Sequence, residues 1–471
     1  MAKHARSSAL QFGIELLQTV AGFVAMIYFA RTLGSATLGQ YFLALAVVNW
    51  VMIPTAGVRG TVQKRVSEDT DQGKFFTAGL LIQLCILCLL LGSIIFFRET
   101  VNRYLGFDGT FLVAGLILLK GLGTFFRAVL RAEHRVELAA LVGGSWELLR
   151  IGLQVALILL GYKLFGLLAG EIAAAGVITI ATVGLISLHL SRPAWKHFQR
   201  LYDYGKYAWL SAIKPFAYSW MDVVILGFFV TDSVIGIYEI SWRITAAFIL
   251  LPSAMAKVTF PYLSKHAENE QMEEIANILR TSTTFAGMLA IPGLMGAVVI
   301  GEDVLAIYGE EFAGGIVIMV ILTAGRIGQS YETFLLQTLN AIDRPDATFR
   351  ISMIFILANI TLNVVLVSQF GAIGAAVATA VTMLLSAILA MRVLRRVVGF
   401  TIDWDIIAVQ FVSAIVMAIA VTGIRQQVQP LTDIETLILV VFGAAVYFVG
   451  LLIGSSEARA QFHRVIDQTI P

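Results

Sequence analysis

Five basic side chains, Lys120, Arg150, Lys214, Arg243 and Arg326, fall inside stretches otherwise dominated by Leu, Ile, Val, Ala, Phe and Gly. An ionised group facing hydrocarbon costs about 2.5–3.5 kcal/mol on insertion scales, so each must point at protein or water. Cations held in this way bind anions well. Arg adds a planar fork that meets carboxylate or phosphate oxygens two at a time. Acids share the same stretches, at Glu15, Glu147, Glu171, Asp222, Glu239 and Glu332, so the intramembrane charge is nearly balanced. Spacing collects these groups into stripes. Tyr207, Ser211, Lys214, Tyr218 and Asp222 recur every three or four residues, as do Gln11, Glu15, Gln18 and Gly22. The same spacing joins Lys120, Thr124, Arg127 and Arg131, and again Arg326, Ser330, Thr333, Gln337 and Asn340. Each set lines one face of a helix. Glu147 can pair with Arg150, and Glu239 with Arg243, inside a single helix. Stripes in both halves of the chain are better accounted for by a hydrated cavity that both halves line.

The elements carrying these stripes follow from composition. The chain has 471 residues, 58% hydrophobic and 14% charged, with a mean hydropathy of +0.84, far from soluble globular composition. Fourteen apolar stretches, from 8–31 to 434–454, predict an all-α polytopic membrane protein. The first stretch is too long for a signal peptide and lacks a small-residue cleavage site. No connecting loop is large enough to fold as a catalytic domain, so the chain reads as no enzyme. A net charge of +2 argues against a nucleic-acid partner. Most Lys and Arg fall on one set of alternate loops, and only Arg31, Arg98, Arg103, Lys163 and Arg425 on the other. The positive-inside rule then predicts both termini cytoplasmic, in a multi-pass protein of the cell membrane. The loop GEDVLAIYGEE, 301–311, has four acids and no base and is assigned outside.

The chain also repeats itself. LGQY at 38–41 matches IGIY at 235–238, Pro54 and Arg59 match Pro252 and Lys257, and LRAEHRVE at 130–137 matches LNAIDRPD at 339–346. Six stretches separate the members of each pair, an even number, so the two halves share one orientation in the bilayer. The predicted organisation is an N-terminal six-helix lobe (1–200), a C-terminal six-helix lobe (201–400) and two further helices with a tail (401–471), the pseudo-symmetric lobes enclosing a central cavity.

The turn R31TLGSATLGQY41 and the later N359ITLNVVLVSQFGAIGAAVAT379 resemble the polysaccharide exporter family, flippases of lipid-linked sugars within the multidrug/oligosaccharidyl-lipid/polysaccharide exporter superfamily. The resemblance runs along the whole chain. It implies alternating access that moves a polyprenyl-phosphate- or diphosphate-linked sugar from the cytoplasmic to the external leaflet. It also implies a cationic cavity, in which Arg243 occupies a place comparable to an important basic residue of peptidoglycan-precursor relatives. Lys214, Arg326, Arg150 and Lys120 are the further head-group candidates. Gln11, Gln18, Tyr218 and Gln337 are the cavity polar groups, and Glu15 and Asp222 the acids placed to carry a coupling proton or sodium ion. The expected partners are the lipid-linked sugar, membrane lipids and, functionally, glycosyltransferases; the expected state is a monomer with no cofactor or metal. Two alternatives share these observations: a cation-coupled multidrug exporter, which would favour a more apolar and acidic cavity, and a membrane-embedded glycosyltransferase, which would want a large loop.

Other motifs are set aside. Cys85 and Cys88 lie mid-stretch with no second pair or nearby His, and read as buried small residues with no disulfide. D403WD405 reads as a helix-start cap and interface anchor. The histidines show no H-E-x-x-H spacing.

Overall fold

The computed structural model describes residues 2–459 apart from 69, 429 and 458, and leaves the side chains of 2–17 and 207–215 undescribed. Gln11, Glu15 and Lys214 therefore lie outside the described side chains. Every long element is a helix. In chain order they are α1 (Ala2–Val51), α2 (Ile53–Glu68), α3 (Gln72–Phe96), α4 (Arg98–Leu105), α5 (Thr110–Ala132), α6 (Val136–Leu159), α7 (Lys163–Leu185) and α8 (Trp195–Phe229). There follow α9 (Asp232–Ala246), α10 (Leu250–Glu268), α11 (Met272–Ala286), α12 (Ala290–Ala306), α13 (Ile316–Ala341), α14 (Pro345–Val397), α15 (Trp404–Arg425) and α16 (Asp433–Gly454). Among the described residues, eleven helical segments are long and apolar enough to cross a membrane. The protein is a multi-pass membrane protein.

Breaks fall where the backbone requires them. α1 bends at Gly34, whose φ of 79° suits glycine, and α14 bends at Gly371, φ 56°; both are points at which the sequence separates two stretches. Pro54 and Pro252 follow breaks at corresponding places, after Val51 and after the 3₁₀ turn Ala247–Ile249, because proline removes an N–H and crowds the preceding turn. α4 occupies what the sequence reads as a plain loop. It ends on left-handed Gly106, and the Asn102 side-chain Oδ1 accepts from the backbone N–H groups of Gly109 and Thr110, locking the entry to α5.

The chain divides into two compact units, Met1–Gly236 and Ile237–Pro471. The division falls inside the first half of α9, and α15 and α16 belong with the second unit. In the first, Val62, Val66, Phe75, Phe125 and Val129 of α2, α3 and α5 form a buried cluster. In the second, Leu263, Leu279, Phe334, Leu335 and Leu394 do the same for α10, α11, α13 and α14. α15 and α16 pack with α12 through Ile300, Met417, Val421 and Tyr447. Small residues allow close approach within these bundles: a Cβ on Gly325 would lie 2.8 Å from the Ala380 backbone. Large apolar side chains such as Leu89, Phe96, Ile180 and Ile419 are exposed, as suits a lipid-facing surface.

Two turns that the sequence match aligns share a backbone geometry. His134 and Asp343, aligned by the LRAEHRVE and LNAIDRPD match, both adopt positive φ, 58° and 56°. In both turns the next residue, Arg135 or Arg344, donates its N–H to the carbonyl five positions earlier, Leu130 or Leu339.

Candidate functional site

In the first unit the buried charges converge on Glu171 of α7. Its carboxylate accepts from Lys120 Nζ of α5 at 2.9 Å and from the Tyr41 hydroxyl of α1 at 2.7 Å, and Arg150 Nη1 of α6 stands 3.9 Å away. Arg150 also pairs with Glu147 one turn back and donates to Gln154 Oε1 at 2.8 Å. Gln154 closes the ring by donating to the Tyr41 oxygen at 3.2 Å and to the Leu167 carbonyl at 2.9 Å. Lys120 and Arg150 both lie over the Trp146 ring, 5.7 and 5.6 Å from its centre. Two cations and two carboxylates make the cluster neutral, which is the condition under which buried charge is tolerated. The sequence proposed Lys120 and Arg150 as head-group candidates set among intramembrane acids; in this structure both are engaged by protein carboxylates.

The second unit handles its bases differently. Arg243, on α9, pairs with Glu239 at 3.3 Å, and its side chain stays 37% exposed. Arg326, on α13, is 3% exposed. Its guanidinium stacks 3.8 Å above the Trp242 ring and donates to the Trp242 carbonyl, Thr245 Oγ1 and Gln329 Oε1. It is thus held flat against one face of α9 by contacts available to the charged form. Glu332, also buried, accepts from Ser386 of α14. Asp222 is buried on α8 and Tyr218 half-buried, and Gln18 and Gln337 are half-buried.

The positions that carry the family resemblance have structural work. Tyr41 anchors the Glu171 cluster, and Gln40 donates to Asp232 Oδ2 at 3.0 Å. Asn359 and Asn363 tie the arms of α14 together: Asn359 donates to Thr379 and Thr382, and Asn363 donates back to Asn359. Gly374 lies so close to the Leu366 carbonyl that a Cβ would meet it at 2.1 Å.

Two assignments are corrected. Cys85 and Cys88 are free thiols and exposed, on the same outward face of α3 as Leu81, Leu84 and Leu89, since a helix buried on one side leaves such a face to lipid. Asp403 stands at the N-cap of α15 without capping it, because its carboxylate accepts from Arg280 Nε at 2.6 Å. Among the described residues no cluster of His, Cys, Asp and Glu could hold a metal ion.

One arrangement escaped the sequence. Arg59 of α2 donates from Nη1 to Thr124 Oγ1 of α5 at 2.7 Å, on the stripe that continues to Arg127 and Arg131. The only signal was the repeat, which pairs Arg59 with Lys257. A groove of about 550 Å³ between α2, α3 and α8 is lined by Pro54, Val58, Ile82, Ile86, Tyr202 and Lys206, apolar within and cationic at its edge.

The helical membrane fold is shared with solved transporters. A lipid II flippase, MurJ, in an inward closed conformation superposes with a TM-score of 0.78 at 16% identity, covering 94% of this chain and 98% of that one. An inward-facing multidrug resistance MATE family transporter gives 0.67 at 13% identity, covering 81% and 94%. Residues 28–316 match the family model described as polysaccharide biosynthesis protein, and the chain belongs to that family. From Haloferax volcanii, the probable flippase AglR is 38% identical across 100% of both chains, and the probable low-salt glycan biosynthesis flippase Agl15 is 32% identical across 98% of each.

Proposed function

We propose that this chain is a flippase that carries a polyprenyl-phosphate- or diphosphate-linked sugar from the cytoplasmic to the external leaflet for glycan assembly. The observation that carries the reading is end-to-end similarity to two relatives named as flippases, one of them of glycan biosynthesis. The placement of charge supports it. Unaided passage of a sugar phosphate through hydrocarbon is prohibitive, and the fold provides half-exposed Arg243 and stacked Arg326, to which the sequence spacing adds Lys214. A phosphate replaces Glu239 as the partner of Arg243, so the cation is never left without a counter-charge while the head group moves. Lys120 and Arg150 act through Glu171 to hold α1, α5, α6 and α7 in register, with Gln11, Gln18, Tyr218 and Gln337 as neutral contacts to sugar or water. The groove beside Lys206 suits the lipid chain.

Counting the two arms of α1 and α14 separately, and adding the apolar end of α8, brings the eleven segments to fourteen crossings, with both termini cytoplasmic. The transporter works as a monomer by alternating exposure of these charges to the two sides. Glu15 and Asp222 carry a coupling proton or sodium ion, and glycosyltransferases supply the substrate.

The test is reconstitution in liposomes with a labelled lipid-linked sugar, comparing the native sequence with Arg243→Ala and Lys214→Ala. Each substitution is expected to slow translocation about tenfold or more, the worth of one charge-assisted contact. No translocation by the native protein would overturn the function, and equal rates in all three would overturn the assignment of these residues.

A further inference from the structure

Four residues of α5, Lys120, Thr124, Arg127 and Arg131, share one face, and the structure divides them. Lys120 is neutralised by Glu171 at 2.9 Å. Thr124 donates its hydroxyl to the Lys120 carbonyl at 2.7 Å and accepts from Arg59 at 2.7 Å. That bond fixes the Arg59 guanidinium, from α2, against the face on which Arg127 follows about one turn later and Arg131 about two. Arg127 reaches toward α6 where Gly143 leaves room, its Nη1 3.5 Å from where a Cβ would stand. Arg59 and Arg127 are half-buried and Arg131 is exposed. Among the described residues of α5, α6 and the turn between them the ion pairs engage Lys120, Arg135 and Arg150, and none engages Arg127, Arg131 or Arg59 of α2.

Three guanidinium groups on one surface, with Glu133, Glu147 and Glu171 already paired to other bases, repel one another until an anion enters. Their forks match phosphate oxygens. We propose that Arg59, Arg127 and Arg131 form a phosphate-binding triad, and that this triad, with the Lys120–Glu171–Arg150 cluster as its rigid neighbour, is the first unit's contact with the phosphate of a prenyl-linked lipid. The inference rests on the flippase reading for its ligand. Its charge, unlike that of Lys120 and Arg150, is available without breaking a buried pair.

Binding to the purified full-length protein in detergent tests it, with farnesyl phosphate and farnesyl diphosphate as probes and farnesol, inorganic pyrophosphate and phosphatidylglycerol as comparison arms. Both farnesyl phosphates are expected to bind and farnesol not. Arg59→Gln, Arg127→Gln and Arg131→Gln should each weaken binding about tenfold or more, with Arg127→Lys between Arg127→Gln and the native protein. Arg350→Gln, at an exposed position on α14, should leave it unchanged. Without ligand, Arg127→Gln should melt no lower than the native protein, since it relieves repulsion, and this separates lost binding from lost folding. Equal binding by all three Gln variants overturns the triad and leaves the flippase reading standing. No binding of either farnesyl phosphate to the native protein overturns both. Pyrophosphate or phosphatidylglycerol binding as tightly as the farnesyl phosphates would replace the assigned ligand by free phosphate or by bulk acidic lipid, and overturn the proposal.

Discussion

Tyr41 and Glu171 are separated by 130 positions, yet the hydroxyl of one completes the shell of the other. A carboxylate that is 2% exposed and held by Lys120, Arg150 and Tyr41 is stable only as a set. Removing Tyr41's donor by Tyr41→Phe should cost about 1.5–3 kcal/mol, the range for a hydrogen bond to a charged group. Glu171→Ala should cost about 3–5 kcal/mol, since it leaves Lys120 without its partner. Thermal unfolding in detergent of the two single variants and the double should show non-additive losses; additive losses would mean that the groups act separately. Asp71 offers a contrasting case outside the membrane-crossing helices. Lys74 donates to its Oδ1 at 2.8 Å. The backbone N–H of Ala194 donates to His197 Nδ1 at 3.0 Å, leaving Nε2–H to face Asp71 Oδ2 at 3.3 Å. The Lys74 hydrogen bond first, and that of His197 second, hold the Asp71 carboxyl below the usual carboxylate range. Because the folded value is the lower one, this contribution to stability is complete above the ordinary Asp value of 3.8 and drains away as pH falls through the folded value. Melting temperatures at neutral pH and near pH 3 should therefore fall further apart in the native protein than in Asp71→Asn; equal differences would refute the assignment.

Helices here are positioned by glycines that admit a neighbour's backbone. A Cβ on Gly39 would lie 1.7 Å from the Asp232 carbonyl oxygen, and one on Gly236 2.1 Å from that of Ser35. The shift along the chain that carries Gly39 onto Gly236 also carries Ser35 onto Asp232, so the contact is reciprocal between the repeats. Gly39→Ala and Gly236→Ala should each lower stability by about 1–3 kcal/mol or more, the cost of overpacking. Gly60→Ala, on α2 with open space around it, should instead be neutral or gain about 0.5–1 kcal/mol. Melting curves that rank the three alike would remove the steric argument. Much of this level was legible beforehand, because glycine and proline act locally: the bends at Gly34 and Gly371 and the breaks before Pro54 and Pro252 sit where the residues demand. Pairs within a helix, Glu147 with Arg150 and Glu239 with Arg243, were legible for the same reason. The Tyr41–Glu171 link, the seat of Arg59 on Thr124 and the outward face of Cys85 and Cys88 were not, since each depends on which face of a helix meets which neighbour. Period alone gives a stripe, and the partner that neutralises it comes from elsewhere in the chain. That is why Lys120 and Arg131, on one stripe, have opposite fates.

Across the molecule, polar contacts test whether the loops were sorted to consistent sides. Arg425, placed outside with few other bases, forms an ion pair with Asp303, an acid of the loop also placed outside, its Nε 2.7 Å from the carboxylate. Arg280 meets Asp403, and Asp71 meets Lys196 and His197, each joining segments placed inside. Tyr104 of α4, outside, donates to the Val224 carbonyl near the outer end of α8. A contact between two loop ends is made only when both lie on the same face of the bilayer, so these pairings agree with an even number of crossings between the segments they join. The remaining choice is which face is cytoplasmic, and the excess of Lys and Arg gives the expectation to test. In a variant with Cys85 and Cys88 replaced by Ser, a single thiol at Glu311→Cys should react in intact cells with a membrane-impermeant maleimide. One at Asn269→Cys should react only after the membrane is opened. The reverse pattern would invert the topology, and with it the direction in which the half-exposed Arg243 and the triad on α2 and α5 would first meet an anionic head group; labelling of both positions from one side would break the even count on which the parallel repeats depend.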